Sequence, residues 1–283
     1  MLLFLLDLFF NLATAAPRIV AVGDLHADPI AAQKVLQLAR IADENGHWVG
    51  GSTILIQTGD ITDKGPSSRG VAAFLLRLQE EARMEGGDVV AVLGNHEVMN
   101  LAGDWRGVNA RDVTEFGSRK ARAQDLLPGG IIGRWIAQSH LVVLRADTVF
   151  VHGGVSEKMA HTGIETLTTI TAEDRLNPTH AALFGDEGPL WFRDYLRLPE
   201  REICTEIEKA LATLGARRMV MGHTTQTDGR ITSRCGGRII GIDTGISGYA
   251  GNRYSAFELE DGAPKAISPT GTTDLPNPPV RDK

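Results

Sequence analysis

Three kinds of feature are scarce in this 283-residue sequence, and each scarcity argues against a class of protein. The chain has two cysteines, Cys204 and Cys235, so thiolates cannot build a zinc site or a disulfide framework. Its 29 basic residues are outnumbered by 35 acidic ones and form no dense run, which argues against nucleic acid as a partner. Its longest apolar run, Leu2–Phe10, is far shorter than the roughly 20 residues of a membrane-spanning helix, so we expect no stable membrane span.

The amino terminus suggests export. The run Leu2–Phe10 precedes Ala13-Thr14-Ala15, a small-x-small pattern typical of signal-peptide cleavage sites. Against this interpretation stand the missing basic residues before the run, Asp7 within it and Pro17 behind it. We predict a signal peptide over residues 1–16 and a periplasmic or secreted protein; a buried first strand in a cytoplasmic protein is the alternative. In an oxidising compartment the two cysteines can pair, but two unpaired thiols fit the sequence equally well.

Apolar patterns alternate between strand and helix in the first hundred residues. Short apolar runs at 18–22, 53–57 and 88–93 predict strands. Asp28-Pro29 predicts the start of a helix between the first two, and apolar residues at helical spacing predict a second helix ending near Met84. This order indicates a mostly parallel sheet whose chemistry lies where loops leave the carboxyl ends of the strands.

Later segments predict a second sheet and two irregular regions. Paired apolar runs with turn residues between them occur at Leu141–Leu144, Val149–His152, Arg238–Ile242 and Ser255–Leu259. A helix at 200–214 interrupts them. We therefore predict an α/β fold, a two-sheet β-sandwich flanked by helices, as one domain over residues 17–260. Residues 105–127 are predicted to be an irregular cap over the loop edge. Residues 261–283, with five of the twelve prolines, are predicted to be a disordered tail.

Five segments end apolar runs in residues that can bind metal. Singly, each is explained as a turn or a structural histidine, but turn chemistry does not explain five of them behind successive strands. Carboxylate, amide and imidazole ligands without thiolate suit a pair of Mn, Fe or Zn ions in a hydrolytic site. The segments are Gly23-Asp24-Leu25-His26, Gly59-Asp60-Ile61-Thr62-Asp63, Gly94-Asn95-His96-Glu97, His152-Gly153-Gly154 and Gly222-His223.

With these motifs the chain resembles the calcineurin-like metallophosphoesterases, and more closely the Shewanella-like branch of the phosphoprotein phosphatases. The resemblance extends from about Arg18 to Leu259 and implies the metallo-dependent phosphatase fold. It also rests on Trp48-Val49-Gly50-Gly51, Asn95-His96-Glu97-Val98-Met99-Asn100, Gly103-Asp104-Trp105-Arg106, Trp191-Phe192-Arg193-Asp194-Tyr195 and Met221-Gly222-His223-Thr224.

The resemblance implies a role for each residue that matches the family's motifs. Asp24 and His26 hold a first metal, Asp60 bridges two metals, and Asn95, His152 and His223 complete the second. The pair activates a water that attacks phosphorus in line, without a covalent enzyme intermediate. His96 protonates the leaving oxygen, and Asp63 orients His96.

One position departs from the family's pattern, which has arginine where this chain has Lys64. Lysine offers a flexible point charge instead of a planar bidentate fork, so Arg106 and Arg193 are predicted to carry most of the phosphate binding, with Lys64 and Asn95 assisting. Tyr249 and Arg253 are further candidates for lining the pocket.

The sequence therefore predicts a dinuclear metal-dependent phosphatase that hydrolyses phosphate monoesters. Its partner is a phosphoprotein, on phosphotyrosine or on phosphoserine and phosphothreonine, or a small phosphoester. One alternative is a diadenosine-tetraphosphate or other nucleotide hydrolase with the same metal motifs. A less favoured one is a non-catalytic metal-binding partner protein in which Lys64 has abolished turnover.

Overall fold

The computed structural model describes residues 17–279, in which two mixed sheets pack face to face with helices outside them. The first sheet has the strand order β11-β10-β9-β1-β2-β3, and the second has the order β4-β5-β6-β8-β7. The strands are β1 Ile19–Val22, β2 Ile54–Gln57, β3 Asp88–Ala91, β4 Val142–Arg145, β5 Thr148–Val151, β6 Arg218–Met221, β7 Thr232–Arg234, β8 Ile239–Gly241, β9 Ala256–Glu260, β10 Ala263–Ser268 and β11 Gly271–Asp274.

The helices occupy the connections between strands. Two long ones begin at side-chain caps, of which the sequence predicted the first: Asp28 accepts from the amide of Ala31 at 3.0 Å, and Ser67 accepts from that of Gly70 at 3.0 Å. The helices are α1 Pro29–Leu38, α2 Ser68–Met84, α3 Asn95–Leu101, α4 Ala110–Glu115, α5 Arg119–Asp125, α6 Ile131–Ala137, α7 Glu157–Ala160, α8 Ile164–Thr169, α9 Ala181–Phe184, α10 Asp194–Arg197 and α11 Glu200–Thr213.

Alternating strand residues build two separate cores. In β1, Ile19 and Ala21 point into the core between the sheets, whereas Val20 and Val22 pack with the residues that face the helices. Phe150 and Phe257 meet across the sandwich with ring centroids 6.3 Å apart. The predicted α/β fold with two mixed sheets flanked by helices is therefore confirmed.

The parallel strands determine where the loops collect. In the first sheet β1, β2 and β3 run parallel, and in the second β5, β6 and β8 do so. The carboxyl ends of the strands in each parallel set lie at the same edge of the sheet. The predicted metal-binding segments follow five of these strand ends.

Three predictions beyond the first three strands differ from the structure. Segment Ser255–Leu259 was expected in the second sheet, but β9 pairs antiparallel with β1 in the first. Its alternating apolar residues are typical of a strand in either sheet of a sandwich. Its partner strand β1 lies more than two hundred residues away in sequence, so the pattern does not reveal which sheet the segment joins. The cap at 105–127 is also more regular than expected, because it contains α4 and α5.

The predicted disordered tail is wrong for residues 263–274. This segment forms β10 and β11, which extend the first sheet beyond β9. Ile267 is buried, so the segment contributes to the core despite its composition. Most of the prolines that suggested disorder follow β11, at Pro276, Pro278 and Pro279. Residues 280–283, and the predicted signal peptide at 1–16, lie outside the described residues.

The two cysteines form a disulfide, which decides the alternative left open by the sequence. Cys204 of α11 is bonded to Cys235 in the turn between β7 and β8, across 31 residues of sequence. A cross-link of this span stabilises a protein by roughly 3–4 kcal/mol, because it restricts the unfolded chain. We expect a Cys204→Ser/Cys235→Ser double variant to lose about that much free energy of unfolding in urea titrations. Wild-type protein kept reduced should match the variant, and equal midpoints in all three samples would contradict the prediction.

Candidate metal centre

The five metal-capable segments converge at one edge of the sandwich. One group of potential ligand atoms comes from His26, Asp60 and His96, and a second from Asp60, His152 and His223. Within each group the atoms lie within 4.8 Å of one another. Asp60 belongs to both groups.

The loops reach this edge through backbone conformations with positive φ, which residues other than glycine seldom adopt. His26, Asp60 and His223 have φ values of +42°, +56° and +61°. The chain also passes very close to itself: a Cβ on Gly94 would lie 2.3 Å from Oδ1 of Asp60, and one on Gly222 would lie 2.5 Å from Oδ1 of Asp24. Such strain persists only where the surrounding structure enforces it.

Glu97 holds the Asp60 loop against α3. Its buried carboxylate accepts from the backbone amides of Asp60 at 2.9 Å, Thr62 at 3.0 Å and Gly94 at 3.0 Å, and from the Thr62 hydroxyl at 2.7 Å. The sequence marked Glu97 only as the end of a motif, although an acidic residue at the third position of a helix is a known capping signal.

Backbone carbonyls fix the orientation of two candidate histidine ligands. Nδ1 of His26 lies 3.2 Å from the carbonyl oxygen of Thr62, and Nδ1 of His152 lies 2.8 Å from that of Thr58. Since a carbonyl only accepts, each Nδ1 carries a proton, and Nε2 is the nitrogen that can face a metal once its own proton is lost. Nε2 of His152 lies 2.8 Å from Oδ1 of Asn95 and 3.3 Å from Oδ1 of Asp60.

His223 offers a ring nitrogen, Nε2, that is buried and without a hydrogen-bond partner among the described residues. Burial, together with the nearby His152 and Arg193, lowers the pKa of His223 to about 2, so its imidazole is neutral and able to coordinate. An unpartnered buried nitrogen of this kind calls for an explanation, and a cation supplies one.

The two carboxylates of the site, Asp24 and Asp60, differ in their electrostatic surroundings. Burial and the neighbouring Asp243 raise the pKa of Asp24 well above its usual value. Burial also acts to raise the pKa of Asp60, but His152, His96 and His26 hold it well below the usual range. Oxygen and nitrogen donors crowded in this way suit divalent cations. The residues present therefore fit the predicted metals.

Asp243 was missed by the sequence analysis. It follows β8 in Gly241-Ile242-Asp243-Thr244-Gly245, the strand-end pattern of the other segments, and it is buried beside Asp24. Its Oδ2 accepts from the Thr225 hydroxyl at 2.6 Å and its Oδ1 from the amide of Gly245 at 3.1 Å. Each carboxylate oxygen of Asp243 therefore has a hydrogen-bond donor, and these bonds hold the segments around Thr225 and Gly245 next to Asp24.

His96 and Asp63 form a close pair at the same edge. Nδ1 of His96 lies 2.7 Å from Oδ2 of Asp63, and Nε2 of His96 lies 3.9 Å from Oδ2 of Asp60. Burial lowers the pKa of His96, but the charges of Asp60 and Asp63 outweigh it and raise this pKa to about 9. The expected pairing is present, and it turns Nε2 towards the site.

The predicted phosphate-binding residues have very different settings. Nη1 of Arg193 donates to the His223 carbonyl at 2.5 Å, which places Arg193 beside the site. Nζ of Lys64 lies 5.5 Å from the ring centroid of Tyr249, and that ring is 69% exposed. The side chain of Arg106 is 84% exposed and binds the Asp104 carboxylate at 2.7 Å.

Arg253 packs elsewhere. It lines a cavity of about 590 Å³ with residues of the 228–231 and 266–275 segments, and none of the predicted metal ligands contributes to that cavity. The structure therefore does not place Arg253 among the residues that line the metal centre.

The fold and this donor set define a metal-binding phosphoesterase. The chain belongs to the calcineurin-like phosphoesterase family, whose model matches residues 17–226. It is 36% identical over 253 residues to an uncharacterized protein of Schizosaccharomyces pombe, covering 84% of this chain and 76% of that protein. It is 29% identical to Shewanella-like protein phosphatase 2 of Arabidopsis thaliana, covering 81% and 71% of the two chains.

A solved structure supports the same assignment. The crystal structure of a cold-active protein-tyrosine phosphatase from a psychrophilic Shewanella species superposes with a TM-score of 0.79 at 26% identity, covering 92% of this chain and 80% of that one. The resemblance to the Shewanella-like branch is thus confirmed. Among residues 17–279, no helix combines the length and apolarity needed to cross a membrane.

Proposed function

We propose that this protein is a dinuclear metal-dependent phosphatase that hydrolyses phosphate monoesters on proteins, with phosphotyrosine as the preferred residue. The observation that carries the proposal is the carboxylate of Asp60, which both groups of potential ligands share. The preference for tyrosine is supported by the similar Shewanella enzyme, described as a protein-tyrosine phosphatase.

Six side chains would hold the two metals: Asp24, His26, Asp60, Asn95, His152 and His223. When bound, Mn, Fe or Zn ions supply a Lewis acid that lowers the pKa of a water molecule and draws charge from the phosphoryl oxygens. The remaining chemistry falls to the protein's own groups. Asp63 holds Nδ1 of His96 at 2.7 Å, which leaves Nε2 free to give a proton to the departing oxygen of the substrate.

Arg193 marks the side from which the substrate enters. A cavity of about 430 Å³ opens there, and its lining has basic, acidic and neutral residues: Lys158, Arg193 and Arg197; Asp186, Glu187 and Asp194; Ser156, Trp191 and Phe192. Lys158 is paired with Glu187 at 3.1 Å, so it contributes little net charge. The guanidinium of Arg193 lies between this cavity and His223, where it can grip a phosphoryl oxygen while the rest of the substrate occupies the cavity.

A substrate panel tests the proposal. Protein reconstituted with Mn²⁺, Fe²⁺ or Zn²⁺ is assayed on matched phosphotyrosine, phosphoserine and phosphothreonine peptides and on dinucleoside polyphosphates. We expect the highest kcat/KM on the phosphotyrosine peptide. Hydrolysis of dinucleoside polyphosphates alone would exclude the protein substrate, and inactivity towards every phosphoester would exclude the function.

Arg193 and Arg106 offer a matched comparison of phosphate binding. Loss of a charge-assisted hydrogen bond costs roughly 1.5–3 kcal/mol, so Arg193→Ala should lower kcat/KM on a phosphopeptide by about tenfold or more. Because Arg106 is exposed and already paired with Asp104, we expect Arg106→Ala to lose less than about threefold. Lys64→Arg should be near neutral. Equal losses of kcat/KM in the two alanine variants would contradict the prediction that Arg193 binds phosphate more strongly than Arg106.

We also propose that the protein is exported. Two features support this: the apolar amino-terminal run before Ala13-Thr14-Ala15, and the disulfide between Cys204 and Cys235, a bond that persists mainly in oxidising compartments. Amino-terminal sequencing of the native protein should find a start near Ala16. An intact Met1 terminus recovered from the cytosol would count decisively against export.

A further inference from the structure

A buried chain of polar side chains leads away from the His96–Asp63 pair. Oδ2 of Asp63 holds His96, and Oδ1 accepts from Nδ2 of Asn100 at 2.9 Å and lies 3.5 Å from Nη2 of Arg122. Asp63 and Arg122 are both 0% exposed. The carboxylate that orients His96 is therefore itself oriented from the far side.

Hydrogen bonds to Asn100 and Asp112 hold the guanidinium of Arg122 in place. Its Nη1 donates to Oδ1 of Asn100 at 2.6 Å, and its Nε donates to Oδ2 of Asp112 at 2.7 Å. Asp112 accepts from the amide and hydroxyl of Ser68, at 2.6 Å and 2.9 Å. The guanidinium lies 5.0 Å from the ring centroid of Trp105. This one side chain therefore connects the start of α2, α4 and α5 to the pair.

The planar guanidinium determines which way the Asn100 amide faces. Because Arg122 only donates, Oδ1 of Asn100 must face it, and Nδ2 of Asn100 is thereby directed at Asp63. Gly107 closes the opposite side, since a Cβ there would lie 2.6 Å from Oδ2 of Asp63. The carboxylate is thus fixed from both sides.

Stability alone is a weak explanation for this arrangement. Burying a guanidinium between two carboxylates carries a large desolvation cost, and apolar side chains often fill such a space at least as favourably. A network in which every hydrogen bond is satisfied does provide a single fixed geometry. A fixed geometry is required where a side chain must deliver a proton in one direction, as proposed for His96.

We infer that Arg122 is a positioning residue for proton delivery, acting through Asn100 and Asp63 on the direction of His96 Nε2. The inference rests on the proposed function, in which His96 gives a proton to the leaving oxygen. Arg122 is fully buried and, among residues 17–279, makes no hydrogen bond to any of the six candidate metal ligands, so its loss should leave metal binding and KM unchanged. Its effect should appear only where the leaving group needs a proton.

The test compares leaving groups in Arg122→Gln, Arg122→Lys and the wild type. On p-nitrophenyl phosphate, whose leaving group departs without help, we expect both variants to keep kcat within about threefold. On alkyl phosphates and phosphoserine peptide, kcat should fall by roughly ten- to a hundredfold at unchanged KM and metal content. Arg122→Lys keeps the buried charge but not the planar fork, so it tests the same point if the glutamine variant fails to fold.

Arg119→Gln is the matched control. Arg119 lies on the same helix, is exposed, and its guanidinium is 5.8 Å from the same Trp105 ring, but among residues 17–279 its side chain makes no hydrogen bond or ion pair with Asp63, Asn100 or Asp112. It should show wild-type kcat on every substrate. Equal losses on nitrophenyl and alkyl phosphates in the folded Arg122 variants, or no loss on either, would overturn the inference. A wild type inactive on all phosphomonoesters would instead overturn the proposed function.

Discussion

Asp60→Asn is expected to remove nearly all phosphatase activity and most of the bound metal. Asp60 is the one residue present in both groups of potential ligand atoms, and its two oxygens face different partners: Oδ1 lies 3.3 Å from Nε2 of His152, and Oδ2 lies 4.0 Å from Nε2 of His26. An amide cannot offer an anionic oxygen on both sides. Because metals contribute several kcal/mol to such hydrolyses, kcat/KM should fall by at least roughly 10³-fold.

Elemental analysis alongside the assay separates the parts of this prediction. Wild-type protein should hold close to two metal ions, and chelation should abolish its activity on p-nitrophenyl phosphate. The control Asp88→Asn makes the same change at a half-buried position at the start of β3, where Asp88 contacts Arg83, and should retain both properties. A wild-type stoichiometry near one would contradict the dinuclear site, and full activity of metal-free protein would contradict the mechanism.

The location of this site was predictable because it follows from strand topology. Five of the candidate ligands come at or just after the end of a buried strand or apolar run, so a parallel arrangement of the strands alone brings them to one edge of the sheets. They are Asp24, Asp60, Asn95, His152 and His223. Their identity as oxygen and nitrogen donors then indicated a metal. No knowledge of side-chain contacts was needed for either step.

The residues that support the site were not predictable in the same way. Arg122 and Asp112 lie in a polar segment that looks like a solvated loop, and only the tertiary structure shows that both are fully buried. Composition does not reveal that a charge is paired. The same limit explains the tail, where Ile267 becomes buried because β9 offers a free edge to β10.

Arg106 shows a setting for a charge that the sequence motif does not reveal. It stood in a motif with Asp104 and was expected to bind phosphate, but a carboxylate two residues away holds its guanidinium at 2.7 Å. Among the described residues, no carboxylate makes a hydrogen bond to Arg193, whose guanidinium contacts His223 instead. Sequence motifs indicate which charges are present; the nearest opposite charge decides which of them remain available to a ligand.

The substitution His96→Asn decides between two roles that the geometry brings close together. Nε2 of His96 lies 3.9 Å from Oδ2 of Asp60, near enough to be grouped with His26 and Asp60 as a potential metal ligand. Nδ1 of the same ring is held by Asp63 at 2.7 Å, the arrangement of a group that transfers a proton.

If His96 is the general acid, the asparagine variant should keep its full metal content, since six other side chains remain to bind it. General acids contribute roughly 10²–10⁴-fold where the departing oxygen is basic, so hydrolysis of alkyl phosphates should fall by about that factor. Nitrophenyl phosphate, whose leaving group departs as a stable anion, should lose much less. Metal content and kcat on both substrates are measured on the same preparation. Loss of metal would make His96 a ligand, and equal losses on both substrates would remove proton donation from its role.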